Sequence, residues 1–204
     1  KEYRRQRQMC IRDRYNGQSL SNMGSNDVYL MKMDSLFNVI WLKGTGASLN
    51  DACNALCVAP NGDIFATGQY KAQVFPPVQV PFPINCSSGN NLNGGIGGSE
   101  DLWIAKINGQ TGCFNWVKTI YGGSVEEATG ITCDSSGTNF YVVGSFCSNA
   151  FFDGAQYNSN GNCDGYICKI SCSSGSFQWV KTIGGAGNDA VSYTHLTLPT
   201  ILLV

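Results

Sequence analysis

Histidine and arginine are almost missing from this sequence. The single histidine is His195, and all five arginines lie within the first fourteen residues. Residues 15–190 contain neither. The interior therefore lacks the imidazole used in Cys–His zinc sites and Cys–His catalysis. It also lacks the guanidinium that grips acidic substrates in a bidentate fork. Charge of either sign is scarce, at 13% of residues. Residues 15–190 hold seven Lys against twelve Asp and Glu, a net charge of −5. That balance argues against nucleic acid, whose phosphates need neutralising cations. No run of about 18 apolar residues occurs, so no transmembrane helix and no membrane insertion are expected.

What the chain does have is glycine (25), cysteine (10) and aromatic residues (11%). With so little charge, this composition points to β structure with many turns. It also repeats. "SNDVYLMKMDSLFNVIWLKGTGASLNDACNALCVAPNGDIFATG" is answered by "SEDLWIAKINGQTGCFNWVKTIYGGSVEEATGITCDSSGTNFYVVG" and then by "NCDGYICKISCSSGSFQWVKTIGGAGNDA". Asp27, Asp101 and Asp164 lead the copies, each with a Lys five residues on. Trp41, Trp116 and Trp179 recur, each with a Lys two residues on. An acid followed by Ala closes the next turn in the alignment Asp51-Ala52, Glu127-Ala128, Asp189-Ala190. Cys57 and Cys133 each stand 11 residues before a glycine, Gly68 and Gly144. The copies run over 24–97, 98–161 and 162–190, the third truncated.

Each full copy reads as four short strands, here "DLWIAKI", "CFNWVKTI", "EATGITCD" and "NFYVVGSF". They are rich in β-branched and aromatic residues and bounded by Gly, Asn, Ser and Asp turns. Four strands per repeat is the pattern of a β-propeller blade. In order, the Trp, Gly-Gly, acid-Ala and Gly-x-x-x-Tyr-Val-x-Gly elements resemble the SBBP-type β-propeller repeat of large secreted and surface proteins. The resemblance covers 24–190. It implies an all-β, incomplete propeller of between two and three four-stranded antiparallel blades, and no single catalytic activity. The first copy departs from it, with Gly44-Thr45-Gly46 in place of Gly-Gly. "GQTGCFNWVK" also resembles, over a shorter stretch, the strand motif of quinoprotein propellers.

The two ends differ from this repeat. "RRQRQMCIRDR" resembles the translation of a transposase-type sequencing-library adapter, whose mosaic end ATG TGT ATA AGA GAC AG gives Met-Cys-Ile-Arg-Asp-Arg. The reverse complement translates as "VSYTHLTLPT", which is 191–200 letter for letter. The resemblance implies that 1–14 and 191–204 are adapter artefacts and that 15–190 is a propeller fragment. It removes His195 and Cys10 from functional consideration.

The candidate functional residues follow from the repeat. One large aromatic per blade at a fixed position reads as packing for Trp41, Trp116 and Trp179, with a binding surface as the alternative. Trp103 aligns with Tyr29 and Tyr166 and also reads as core. Gly68 and Gly144 fit close backbone approach, and Asp27, Asp101 and Asp164 fit turns. Adjacent acids on an extended segment point apart, so Glu126-Glu127 reads as a solvated turn and not an acid–base pair. No catalytic or cofactor-binding residue is assigned. The loop "NSNGNCDG" places Asn158, Asn160, Asn162 and Asp164 at alternate positions, a weak calcium pattern short of carboxylates. A polar inter-blade loop is the other reading of it.

Nine cysteines lie in 15–190: Cys53, Cys57, Cys86, Cys113, Cys133, Cys147, Cys163, Cys168 and Cys172. Without zinc-knuckle spacing they read as disulfide candidates in an oxidising compartment, extracellular or at the cell surface. The full connectivity does not follow from sequence; Cys147 with Cys163, across the loop between copies two and three, is the one pair singled out. Asn85-Cys86-Ser87 is a glycosylation candidate. The reading is therefore a non-catalytic structural, adhesive or protein/glycan-binding module that uses loops 71–97 and 145–161. Its partners are further blades of the same chain and an extracellular protein or glycan. The alternative is part of a propeller enzyme, quinoprotein-like or sugar-acting, whose active site lies in sequence outside this chain.

Overall fold

The computed structural model describes residues 12–15, 18–21, 26–46, 49–71, 81–82, 90–91 and 100–191. Cys10, Asn85, Cys86, His195 and most of the 71–97 loop lie outside the described residues. The described residues are all-β, with antiparallel pairing between every pair of strands. The order is β1 (Arg12–Tyr15), β2 (Gln18–Ser21), β3 (Val28–Met33), β4 (Val39–Thr45), β5 (Asp51–Val58), β6 (Ile64–Lys71), β7 (Pro81–Phe82), β8 (Asn90–Asn91), β9 (Glu100–Ile107), β10 (Phe114–Gly122), β11 (Glu126–Cys133), β12 (Asn139–Phe152), β13 (Ala155–Ser171) and β14 (Phe177–Ile183). The pairs β1–β2 and β7–β8 stand apart from the main sheet.

The four strands expected within copy two are present as β9 to β12 in one eight-stranded sheet, but β10 pairs with β12 and not with β11, so they do not run as one four-stranded meander. β9 and β10 continue the pair β5–β6, while β11 and β12 continue into β13 and β14. Each four-stranded meander thus joins the second half of one copy to the first half of the next. The cause lies in the connections. The step from β10 to β11 is short and crosses to the neighbouring layer, whereas β6 and β9 pair along their full length despite the long loop between them. The two meanders touch in the sheet only where Ile120–Gly122 of β10 meets Ala150–Phe152 of β12. The strands do not close into a ring among the described residues.

Three layers result: the β3–β4 hairpin, the meander β5–β6–β9–β10, and the meander β11–β12–β13–β14. The central strands of the first meander, β6 and β9, are buried on both faces. Val28, Leu30, Trp41, Ala66, Trp103, Ala105, Ile107 and Phe114 fill the space toward the hairpin. Phe65, Leu102, Ile104, Ile120, Phe140, Val142, Phe146, Tyr166 and Ile170 fill the space toward the second meander. β9 lies between two paired neighbours and so reads as a near-continuous apolar run with alternate residues in each core. Asn54 donates to the Ala128 carbonyl, and a Cys57–Cys133 disulfide ties β5 to β11.

The repeat shows itself in the register. Trp41 pairs with Lys32, Trp116 with Lys106 and Trp179 with Lys169. In each hairpin the residue just before the Trp is bulged out of the ladder: Ile40, Asn115 or Gln178. A bulge re-aims the following side chain, which turns each Trp toward the next layer.

Candidate functional site

Acidic residues at one end of the first meander form the most unusual chemical environment. Asp51, Tyr70 and Asp101 are direct cross-strand neighbours on β5, β6 and β9. All three are buried, and Glu126, which opens β11, is 0% exposed beside them. Burial raises the Glu126 carboxyl, the Asp101 charge raises it further, and a hydrogen bond to Asp101 favours the protonated form. Against a hydrogen bond from the Gly122 amide, these effects push it up to about 9. Burial and the neighbouring Asp101 therefore hold Glu126 as a neutral acid at pH 7. Burial, then the charges of Asp101, Glu126, Tyr121 and Asp51, also push the Tyr70 phenol up. The group is closed to solvent, so what this chemistry can do is hold the layers in register and make them sensitive to pH.

The solvated-turn reading of Glu126-Glu127 is corrected here. The two point apart as expected, with Glu127 exposed, but Glu126 faces inward. The alignment of closing acids also shifts by one. Cys53 pairs with Gly68 as Ala128 pairs with Gly144, which makes Asp51 the counterpart of Glu126 and Ala52 that of Glu127. Counting from the Trp would have found it, because Asp51, Glu126 and Asp189 each stand ten residues after one. Cys57 and Cys133 are displaced from each other for the same reason: the turn closed by Ala59 and Asp63 is one residue shorter than that closed by Asp134 and Asn139.

The glycines stand where close approach demands them. A Cβ on Gly68 would collide with the Ala52 carbonyl, and one on Gly144 with the Glu127 carbonyl. Asp101 and Asp164 are buried. Asp164 accepts hydrogen bonds from the Asn160 backbone (3.1 Å) and side-chain amide (3.0 Å), so Asn160 presents a donor there and not a ligand oxygen. No group of three or more His, Cys, Asp or Glu residues is arranged to hold a metal among the described residues.

The tryptophans divide. Trp103 is fully buried and donates to the Ala52 (3.1 Å) and Gln69 (3.3 Å) carbonyls. Trp41 is buried and Trp116 half-buried, whereas Trp179 is 37% exposed. Among the described residues no glycine turn lies against Trp179 as the Gly112 and Gly175 turns lie against Trp41 and Trp116. The cysteines divide too. Cys147–Cys163 is bonded as expected, Cys57–Cys133 is bonded, and Cys113 is disulfide-bonded. Cys53, Cys168 and Cys172, disulfide candidates in the sequence, are free thiols. Burial pushes Cys53 and Cys172 each up to about 11 and Cys168 further, which leaves all three as unreactive thiols.

The 145–161 loop is an ordered hairpin. Its tip, Asp153-Gly154, has positive φ at both residues, the geometry of a tight two-residue turn. Tyr121 stacks on Phe151 (5.3 Å), and the Cys147–Cys163 disulfide closes the base. Gln156, Asn158, Asn160 and Asn162 are exposed along one strand. A scan of protein-family models and a search of curated proteins find no match to this chain.

Proposed function

We propose that residues 15–190 are part of a secreted or cell-surface β-propeller of the SBBP type, with a structural, adhesive or protein/glycan-binding role, and that 1–14 and 191–204 are translated adapter. The observation that carries the reading is the recurrence of one interlayer joint. Trp41 packs on the Gly112 turn of the next hairpin, and Trp116 packs on the Gly175 turn of the one after. Layers joined by one repeated contact rotate by one repeated angle, which is how blades accumulate around an axis. The disulfides fit an oxidising compartment. The stapled hairpin carries the binding role: its exposed amides can exchange hydrogen bonds with a glycan or an extended peptide, beside the half-buried Tyr121–Phe151 pair.

Long sequencing reads across both junctions of the source gene test this. Further copies of the Asp…Lys…Trp-x-Lys pattern in place of 1–14 and 191–204 are expected. A gene that encodes both ends as they stand here would overturn the adapter reading. Electron microscopy of the longer product is expected to show a closed ring of about four to eight blades.

A further inference from the structure

The outward face of the second meander repeats a face that is already occupied elsewhere in the molecule. On the first meander, Lys106 lies over the Phe65 ring at 5.9 Å, and Phe65 sits 6.0 Å from Trp116 at 49°. On the second, Lys169 lies over the Tyr141 ring at 6.0 Å, and Tyr141 sits 6.0 Å from Trp179 at 54°. Phe65 and Tyr141 correspond, each three residues before the close-approach glycines Gly68 and Gly144. Ile120 and Ile183 correspond, each four residues after the Trp. In the first set Phe65 and Ile120 are 0% exposed; in the second Ile183 is 62% exposed.

What covers the first set is on view. Phe140 of the next meander stacks on Phe65 at 4.6 Å, and the Gly175 turn lies against Trp116, with ring carbons 3.1 Å from its Cβ position. Trp41 is covered in the same way, by Gly112 at 2.7 Å, while its indole N–H and the Lys32 ammonium donate to the Gly109 carbonyl at 3.2 and 2.6 Å. Gly112 and Gly175 hold φ of +72° and +69°. The covering turn therefore needs a residue with left-handed backbone and no side chain, which is glycine.

We infer that the Lys169–Tyr141–Trp179 face is the docking surface for a further four-stranded meander of this repeat, one that brings an apolar side chain onto Tyr141 and a left-handed glycine turn onto Trp179. The inference rests on the repeat reading above. A second copy of this chain does not meet the requirement. Its leading hairpin holds Phe37 at the position of Gly112 and Gly175, with φ of 63° and 77% exposure, and that side chain occupies the space the tryptophan needs.

The test extends the chain by repeating residues 128–190 directly after Ala190, which stands at the place of Glu127. Hydroxyl-radical footprinting with mass spectrometry reads each tryptophan. Trp179 is expected to oxidise severalfold more slowly in the extended chain than in the parent, with the Trp of the added copy becoming the reactive one. Gly175→Val in the added copy is expected to restore Trp179 reactivity. Equal Trp179 oxidation in parent and extended chains would overturn the inference. So would a defined dimer of the parent that protects Trp179. As a second measurement, Trp179→Ala is expected to leave the parent's melting temperature unchanged and to lower that of the extended chain. A covered Trp179 in an open stack would keep the docking rule and remove only the ring.

Discussion

At the residue scale, Glu126 and Gly112 show how much a single position must satisfy. Glu126 titrates near 9 in the fold, against an ordinary 4.5. Above pH 4.5 the unfolded chain gives up this proton while the folded chain keeps it, so folding is penalised progressively up to about pH 9 and by a constant amount beyond. Asp101, Asp51, Tyr70, Tyr121, Tyr166 and Glu127 face or neighbour the group, and none brings a positive charge. Glu126→Gln keeps a donor for Asp101 and removes the titration. It is expected to raise the melting temperature at pH 8 by ~2 °C or more and to flatten the loss between pH 5 and 9, as read by calorimetry across pH. Asp134 works in the opposite direction. Burial raises it, but hydrogen bonds from Asn139, Ser136 and Thr138 outweigh that and lower it to about 2, so its contribution is lost as pH falls from 3.8 toward 2. Gly112→Ala puts a Cβ 2.7 Å from the Trp41 ring on a left-handed backbone. It is expected to cost roughly 1–3 kcal/mol in urea denaturation.

At the element scale, hairpins are the working unit. Three of them, β3–β4, β9–β10 and β13–β14, pair a Lys with a Trp beside a bulge, and the bulge aims the Trp at the next layer. The β12–β13 hairpin is the longest of the described hairpins, and the end of β12 at its tip pairs through Ala150–Phe152 with Ile120–Gly122 of β10 and buries Phe152. The Cys147–Cys163 bond spans a separation of 16 residues there. Replacing both with Ser is expected to cost ~3 kcal/mol, with hydrogen exchange rising first at 149–158. Unchanged exchange at the tip would show that the β10–β12 pairing and the Tyr121–Phe151 stack hold the hairpin without the bond.

At the scale of the whole molecule, stability comes from layers covering layers. The joint between the meanders combines the Phe65–Phe140 stack, the Cys57–Cys133 bond and the Asn54–Ala128 hydrogen bond. A double-mutant cycle on Phe65→Leu and Phe140→Leu is expected to return a coupling of ~0.5–1.5 kcal/mol. A coupling near zero would mean that the two rings are buried by separate cores and not by a shared joint.

The strands were legible because alternation, β-branching and turn glycines are local, and β9 to β12 fall where the pattern puts them. The Trp spacing, the close-approach glycines and the Cys147–Cys163 pair were legible for the same reason. Three things were decided only by tertiary structure. Strand partners were one: which hairpin continues which sheet depends on where short connections cross between layers, so the sheets are offset by half a repeat from the copies. The inward face of Glu126 was another, hidden by a one-residue difference in turn length that misaligned the acids. The fate of the tryptophans was the third. The three occupy equivalent places in the repeat, yet two are covered and Trp179 is exposed, because burial belongs to the neighbouring layer and not to the residue.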